Sequence, residues 1–244
     1  MHPTSKILLP LDLDTADKAL EMARQTADEV GGFKVGLELI NAAGFDVLER
    51  LRDSAGADAK IFYDCKFHDI PNTVAGACRA AGRRSVWMIN VHALGGSEMM
   101  RAAVRGAGEG ADAAGVAKPL VIAVTILTSI SEGVLAGEIG IKGGVAAVVA
   151  DLARLAQDSG CDGVVASPHE ITVIREACGP EFLIVTPGVR PAGADVGDQK
   201  RVMTPTEAVQ AGADYLVIGR PITGASDPAE AARRINAETG NNGQ

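Results

Sequence analysis

The sequence is poor in aromatic residues and in cysteine, and it has no long hydrophobic run. Its 244 residues include one Trp, two Tyr and five Phe, so few side chains are available for stacking on nucleic-acid bases. The four cysteines, Cys65, Cys78, Cys161 and Cys178, form no CxxC pair and no zinc-ligand spacing. We therefore expect reduced thiols and a cytoplasmic protein rather than a disulfide-bonded secreted one.

Membrane-spanning and disordered classes are also disfavoured. The longest apolar runs, such as residues 119–127, fall far short of the roughly 18 residues that a spanning helix needs. The N-terminus lacks the apolar core and small-residue cleavage site of a signal peptide. Hydrophobic residues make up 47% of the chain and charged residues 22%, which is a globular composition, and the net charge is −8. We expect a globular protein that binds neither membranes nor nucleic acid.

Short apolar runs recur along the whole chain. They are rich in Val, Ile and Leu and are bounded by Gly, Pro or Asp, which is typical of parallel strands buried on both faces. Eight such runs are present, at residues 6–13, 32–39, 60–66, 85–93, 119–127, 161–167, 182–189 and 214–219.

Amphipathic patterns with helix-capping residues lie between these runs. They predict helices within residues 15–30, 143–160, 204–212 and 227–236. Strand starts fall roughly 30 residues apart, the size of one βαβ unit. The sequence therefore predicts a single-domain (β/α)8 TIM barrel, with an open doubly wound sheet as the alternative.

Domain boundaries and loops follow from the same reading. The barrel domain is predicted over residues 1–236, followed by a frayed tail at 237–244. Two connections are longer than a compact barrel needs, at 128–144 and 190–203, and long loops of this kind are usually functional. The first is predicted to contain a short extra helix.

Polar residues collect where the predicted strands end, which is where the chemistry of barrel enzymes takes place. Chance placement explains this pattern poorly, because nearly every strand contributes to the same rim. The residues are Asp12, Lys34, Asp64, Lys66, His92, Thr128, Arg190, Gly219 and Arg220.

A charged array is predicted at the start of this rim. Asp64 and Lys66 are two residues apart in a strand and so share a face, which turns Cys65 toward the helices as a packing residue. Lys34 interrupts an apolar strand, so it either pairs with a carboxylate or extends to solvent from an edge. With Asp69, these groups can alternate in charge and keep one another ionised; the alternative is a structural salt-bridge cluster.

A phosphate site is predicted at the ends of strands 7 and 8. Barrels often bind phosphate with these loops, Gly219 allows close backbone approach, and Arg220 supplies bidentate bonds. We expect Gln199, in the long loop, to reach over the same group. The alternative is a turn glycine beside a surface arginine. His92 is expected to be a hydrogen-bonded scaffold residue.

These residues resemble the orotidine 5′-phosphate decarboxylase family. The segment DCKFHDIPNT, residues 64–73, is close to that family's D-x-K-F-x-D-I-x-N-T pattern, with Cys65 where Leu is frequent. Leu94 departs from the small polar residue usual at its position. Further motifs follow in the family's order over nearly the whole chain: LDLD, FKVG, NVHALGG, VTILTS, TPGVRP and VIGRPI.

The resemblance implies decarboxylation of orotidine 5′-phosphate to UMP, the last step of de novo pyrimidine synthesis, with no metal and no organic cofactor. It implies that Lys66 protonates C6 of the substrate and that Asp64 lies beside the departing carboxylate. It further implies that Lys34 and Asp69 complete the array, with Asp69 coming from the other subunit of a homodimer whose active sites are shared.

The resemblance also assigns the remaining binding residues. Residues 190–203 would form a closing lid. The ribose region would be held by Asp12, Lys34 and Thr73, the pyrimidine by Thr128, and the phosphate by Arg190, Gln199, Gly219 and Arg220.

Two other functions compete with this one. Hexulose-phosphate synthases and keto-gulonate-phosphate decarboxylases share a D-x-K-x-x-D run but use Mg²⁺ to stabilise an enediolate. Their pattern typically continues with Gly after the last Asp, whereas Ile70 follows here. A non-catalytic phosphate-sensing barrel is the second alternative, and it would not need the Asp64–Lys66 pair.

Overall fold

The computed structural model describes residues 5–191 and 203–240. Their parallel strands form a closed barrel in chain order. Closure is direct, because Ile7 of the first strand pairs with Leu216 of the last. The strands are β1 (Ile7–Pro10), β2 (Gly32–Val35), β3 (Ile61–Phe67), β4 (Met88–His92), β5 (Leu120–Val124), β6 (Gly163–Val165), β7 (Leu183–Pro187) and β8 (Tyr215–Val217). The predicted (β/α)8 barrel is confirmed, and the open sheet is wrong.

Helices follow the strands and surround the barrel. In the described residues they are α1 (Ala16–Thr26), α2 (Leu37–Ala43), α3 (Val47–Ala55), α4 (Pro71–Gly82), α5 (Gly96–Ala114), α6 (Glu132–Gly137), α7 (Val145–Asp158), α8 (Ile171–Cys178), α9 (Pro205–Ala211), α10 (Arg220–Thr223) and α11 (Pro228–Glu238). The short helix expected in the 128–144 connection is α6. None of the described helices is long and apolar enough to cross a membrane.

The capping residues read from the sequence set the helix ends. Thr204 and Glu207 form a reciprocal capping box at the start of α9, and Gly212 ends that helix with φ +113°. The Asp227 side chain accepts from the Glu230 N–H at the start of α11. That helix continues to Glu238, so it includes two residues of the segment predicted as a tail. Residues 241–244 lie outside the described part of the chain.

The core has two layers. The barrel interior is filled by a compact apolar cluster of Leu8, Phe62, Met88, Ile122 and Val185. A much larger cluster lies between the strands and the helices, and it contains Cys65, as predicted for a side chain turned away from the barrel axis. Because the interior is packed, ligands can bind only above it, at the ends of the strands.

Helices α4 and α5 make an unusually close contact through glycine. A β-carbon on Gly106 would lie 2.3 Å from the Ala75 carbonyl oxygen, and one on Gly110 would lie 2.1 Å from the Arg79 carbonyl oxygen. Only hydrogen fits at these positions, so the two backbones touch directly. Since α4 starts four residues after β3 ends, this contact fixes the chain that leaves β3.

Candidate active site

A cavity of about 570 Å³ opens at the carboxyl ends of the strands. Its walls combine charged groups with apolar residues such as Ile126 and Pro187, a mixture suited to a planar ring bearing anionic groups. Eight residues predicted from the sequence line it: Asp12, Lys34, Asp64, Lys66, Thr128, Arg190, Gly219 and Arg220.

Four of these residues form a row of alternating charge. The Lys34 Nζ lies 3.1 Å from Asp12 Oδ1 and 3.1 Å from Asp64 Oδ2. The Lys66 Nζ lies 2.5 Å from Asp64 Oδ1. Lys34 is only 8% exposed, so it is the inward, carboxylate-paired lysine rather than one that extends to solvent. The row runs Asp12, Lys34, Asp64, Lys66.

A bulge in β3 brings Asp64 and Lys66 together. The β3–β4 ladder pairs Tyr63 with Ile89 and Phe67 with Val91, so four steps along β3 match two along β4. Within the bulge, Lys66 has φ +48°, in the left-handed region that L-residues rarely adopt. The two side chains meet as predicted, but the regular strand alternation used to predict it does not extend through this segment.

Asn90 was not predicted, although it touches both members of the pair. It lies in β4 and is fully buried. Its Nδ2 donates to Asp64 Oδ1 at 2.6 Å, and its Oδ1 accepts from the Lys66 backbone N–H at 2.6 Å. The sequence did contain a signal for Asn90, because a polar residue interrupts an apolar strand there, as Lys34 does in β2. The sequence did not indicate which groups Asn90 contacts.

Mutual pairing keeps Lys34 and Asp64 ionised. Burial alone would lower the pKa of the Lys34 ammonium, but Asp64 and Asp12 outweigh it and raise the pKa above its usual value. Burial also acts to raise the pKa of Asp64, but Lys34, Lys66 and the Asn90 amide hold that pKa below its usual value. A buried ammonium therefore remains charged beside a buried carboxylate.

The part of the cavity at the ends of β7 and β8 carries the arginines. Arg190 is 8% exposed, and its Nη1 donates to the Val189 carbonyl oxygen at 2.9 Å. Arg220 is exposed and begins α10 directly after Gly219. A β-carbon on Gly219 would lie 2.8 Å from Pro10 Cγ, so this glycine is required by packing in addition to any contact with a ligand.

Other predicted residues lie away from the cavity. Asp69 and Thr73 are exposed, and within the described part of the chain neither lines it. The Asp69 Oδ1 accepts from the Ile70 backbone N–H at 2.6 Å. Gln199, and the predicted lid between residues 192 and 202, lie outside the described residues.

His92 does not line the cavity, and its ring packs near a second histidine. The ring of His92 lies 5.3 Å from that of His68, between centroids. Burial, followed by the charges of His68 and Lys66, lowers the pKa of His92. Glu38 and Thr223 also line the cavity, and neither was predicted.

The fold and the charged row define a (β/α)8-barrel enzyme that acts on a small anionic molecule. The chain belongs to the orotidine 5′-phosphate decarboxylase / HUMPS family, whose model matches residues 5–235. Both the barrel and the complete charged row lie within that match.

The most similar relatives described below carry the first part of that family name, orotidine 5′-phosphate decarboxylase. The orotidine 5′-phosphate decarboxylase of Moorella thermoacetica is 53% identical over 238 residues, which cover 98% of this chain and 93% of that protein. That of Heliobacterium modesticaldum is 50% identical and covers 98% and 97%. The crystal structure of the Lactobacillus acidophilus enzyme of the same name is 40% identical, with a TM-score of 0.84, covering 96% of this chain and 99% of that one.

Proposed function

We propose that the protein is an orotidine 5′-phosphate decarboxylase, a carboxy-lyase of pyrimidine biosynthesis that converts orotidine 5′-phosphate to UMP and CO2. The observation that carries this proposal is the Lys66–Asp64 contact of 2.5 Å at the wall of a cavity that also contains two arginines. Relatives that bear this name at about half identity, over nearly their whole length, support it.

The chemistry follows from what the reaction lacks. The bond from C6 to the carboxylate lies in the ring plane, so its electron pair cannot spread into the π-system when CO2 leaves. A fixed ammonium beside C6 stabilises that pair and then donates a proton to it. In our proposal Lys66 supplies this proton, the C6–H bond forms with the retained pair, and the neutral amine regains a proton from water.

Asp64 has the complementary role in this proposal. Its carboxylate faces the substrate carboxylate, and their repulsion fades as the latter becomes neutral CO2. Two unit charges about 4 Å apart at an effective dielectric constant near 20 interact by about 4 kcal/mol. Lys34 keeps Asp64 ionised and, with Asp12, is proposed to bind the ribose.

The pyrimidine and the phosphate of the substrate are proposed to contact other residues that line the cavity. Thr128 is proposed to contact the pyrimidine, and Arg190, Gly219 and Arg220 to bind the phosphate, because guanidinium groups suit phosphate oxygens. Gln199 remains a predicted phosphate contact. Binding energy from the distant phosphate can help to hold the reacting ring in place.

We further propose a homodimer in which each site borrows residues from the partner. Asp69, between β3 and α4, and Thr73, in the first turn of α4, are exposed and lie outside their own chain's cavity. The same face exposes Ile70 by 67% and Leu94 by 41%, and a second copy would cover them. Because Cys65, Cys78, Cys161 and Cys178 are free thiols, the proposed location is the cytoplasm.

The test is the loss of orotate absorbance when the purified protein is added to orotidine 5′-phosphate, run with and without EDTA. We expect turnover that EDTA leaves unchanged, because Lys34 and Lys66 occupy the space between the carboxylates. Activity that EDTA removes and Mg²⁺ restores would indicate the enediolate chemistry of the other family branch. Tight UMP binding without turnover would indicate a phosphate sensor.

A further inference from the structure

We infer that Asn90 is the positioning residue of the reacting pair, holding the Asp64 carboxylate and the Lys66 backbone in one fixed arrangement. The inference rests on the proposed decarboxylase function and adds to it a residue that does not touch the substrate. Asn90 is fully buried and does not line the cavity, so any effect on the reaction must pass through its neighbours.

The orientation of the Asn90 amide follows from its two closest partners, and the Cys65 thiol, which lies 3.7 Å from the amide oxygen and can donate to it, is consistent with the same orientation. The Lys66 backbone N–H can only donate, so it requires the carbonyl oxygen of the amide; the ionised Asp64 carboxylate can only accept, so it requires the NH2 group. Both bonds are 2.6 Å long. Only one orientation of this side chain satisfies both, and among the natural side chains of this size only an amide offers a donor and an acceptor so placed at neutral pH.

The bulge explains why β3 needs this partner. With its two additional residues, β3 leaves the backbone ladder between Tyr63 and Phe67. The Lys66 N–H then bonds to the Asn90 side chain instead of to the backbone of β4. Without that acceptor, the backbone N–H of Lys66 would be unpaired in a residue already at φ +48°, a combination that favours collapse of the bulge.

The same amide fixes the rotation of the Asp64 carboxylate. Oδ1 accepts from Asn90 and from Lys66, while Oδ2 lies 3.1 Å from the Lys34 Nζ. Any rotation about the Asp64 side chain would break at least one of these contacts. Of the three side chains that contact the Asp64 carboxylate, Asn90 is the uncharged one, and it lies on the neighbouring strand β4. Because it holds both the Asp64 carboxylate and the Lys66 backbone, we infer that it sets the direction from which the Lys66 ammonium meets the substrate.

The sharpest variant is Asn90→Asp, which keeps the shape. As a neutral acid, the new side chain can still accept from the Lys66 N–H and donate its hydroxyl to Asp64. Once ionised, it has no proton to donate and repels Asp64. We expect near wild-type kcat at low pH and a fall of about tenfold per pH unit above the pKa of the new acid. Wild type serves as the control, because the ionisable groups around Asn90, namely Asp64, Cys65, Lys66 and His92, and the substrate phosphate are the same in both proteins.

Asn90→Leu removes both bonds at every pH. We expect kcat to fall about 10²-fold, the size associated with a misplacement near 1 Å, while UMP affinity changes less than about threefold. At low pH, the kcat of Asn90→Asp should be at least about tenfold higher than the kcat of Asn90→Leu. Thr186→Val is the matched control, since Thr186 is buried at the end of β7 and its hydroxyl has no hydrogen-bond partner among the described residues. Its kcat should equal that of wild type.

Each result decides the inference. An Asn90→Leu kcat within threefold of wild type, or equal losses in both variants with no pH-dependent difference, would overturn it. If Asn90→Leu does not fold, the pH profile of Asn90→Asp carries the test. Crystal structures of wild type and Asn90→Leu provide a readout that does not need turnover. The Lys66 backbone should leave the left-handed region in Asn90→Leu, and an unchanged Lys66–Asp64 contact would count against the positioning role of Asn90. Inactivity of wild type would instead refute the proposed function.

Discussion

A β-carbon on Gly36 would lie 3.0 Å from the Nζ of Lys34 and 3.2 Å from the Oδ1 of Asp12. The backbone of Gly36 has φ −104°, which any residue adopts, so glycine is needed here for space and not for conformation. The turn that follows β2 thus passes directly against the charged row, and an additional methyl group there would make Lys34 or Asp12 move.

We expect Gly36→Ala to push Lys34 away from its carboxylates. The barrel should still form, because the substitution lies at its mouth, but kcat/KM should fall by about tenfold or more as the Lys34–Asp64 contact lengthens. Gly137→Ala is the matched control, because a β-carbon there meets nothing within 4 Å. Steady-state kinetics give kcat/KM for both variants, and circular dichroism checks that both are folded. Equal kcat/KM values for the two variants would show that Lys34 and its carboxylates accommodate the added methyl group without loss of activity.

Lys66→Ala should abolish turnover while preserving the fold and UMP binding. Positioned proton transfer contributes about 10²–10⁴-fold, and charge stabilisation at C6 is lost as well, so we expect a decrease of at least about 10³-fold. Lys60→Ala is the control, since Lys60 lies just before β3 at its other end, over the Trp87 ring. Turnover within tenfold of wild type would exclude Lys66 as the proton donor.

Arg220→Ala should weaken the binding of phosphorylated ligands specifically. A hydrogen bond to a charged group contributes about 1.5–3 kcal/mol, which corresponds to about a 10- to 100-fold loss of UMP affinity. Uridine, which lacks the phosphate, should bind the variant and wild type equally. Isothermal titration with both ligands provides the comparison, and Arg154→Ala, at an exposed site on α7, should change neither. An equal loss for both ligands would place Arg220 elsewhere in the site.

Mixing two inactive variants tests the shared site. If Asp69 serves the neighbouring cavity, a heterodimer of Lys66→Ala and Asp69→Ala chains has one site with both lesions and one with neither. Random exchange of equal amounts makes about half of the dimers mixed, so about a quarter of wild-type activity should return. Exchange is verified with differently tagged chains. No recovery despite exchange would mean that Asp69 acts within its own chain.

The Asp64 carboxylate should make stability depend on acid pH. Its pKa in the folded protein is below the usual 3.8, so its contribution is complete above that value. As pH falls from the unfolded pKa through the folded one, the unfolded chain binds more protons and the contribution is lost. The difference in unfolding free energy between wild type and Asp64→Asn should therefore be constant from about pH 7 to about pH 5 and shrink below about pH 4. Urea titrations measure it, and a constant difference down to about pH 3 would refute the pairing.

Much of the fold could be predicted because parallel strands buried on both faces appear as short apolar runs. Each observed strand coincides with such a run, and Lys34 was conspicuous because it interrupts one. The convergence of Asp64 and Lys66 was also predicted. The bulge that produces it was not, because register belongs to a pair of strands and the sequence of β3 alone does not contain it.

Two parts of the site were beyond local sequence patterns. Asn90 was missed because its significance lies in two bonds to a neighbouring strand, and a lone amide in an apolar run does not indicate its partners. Spacing along the sequence placed Asp69 in the charged row, but the chain's own cavity does not include Asp69. Its proposed role in a partner's site, and the choice of Thr73, came from the family resemblance, because the packing of one chain does not show which residues would act in another.

The glycine contact between α4 and α5 has a consequence for association. Because Gly106 and Gly110 bring the two backbones together, α4 has little freedom to shift or tilt. Asp69 lies two residues before that helix and Thr73 lies in its first turn, so the contact limits the movement of both. A second copy docking there would meet a surface already in its bound shape, so little conformational entropy would be lost on assembly. Gly110→Ala should therefore raise the dissociation constant of the proposed dimer and also lower the stability of the barrel.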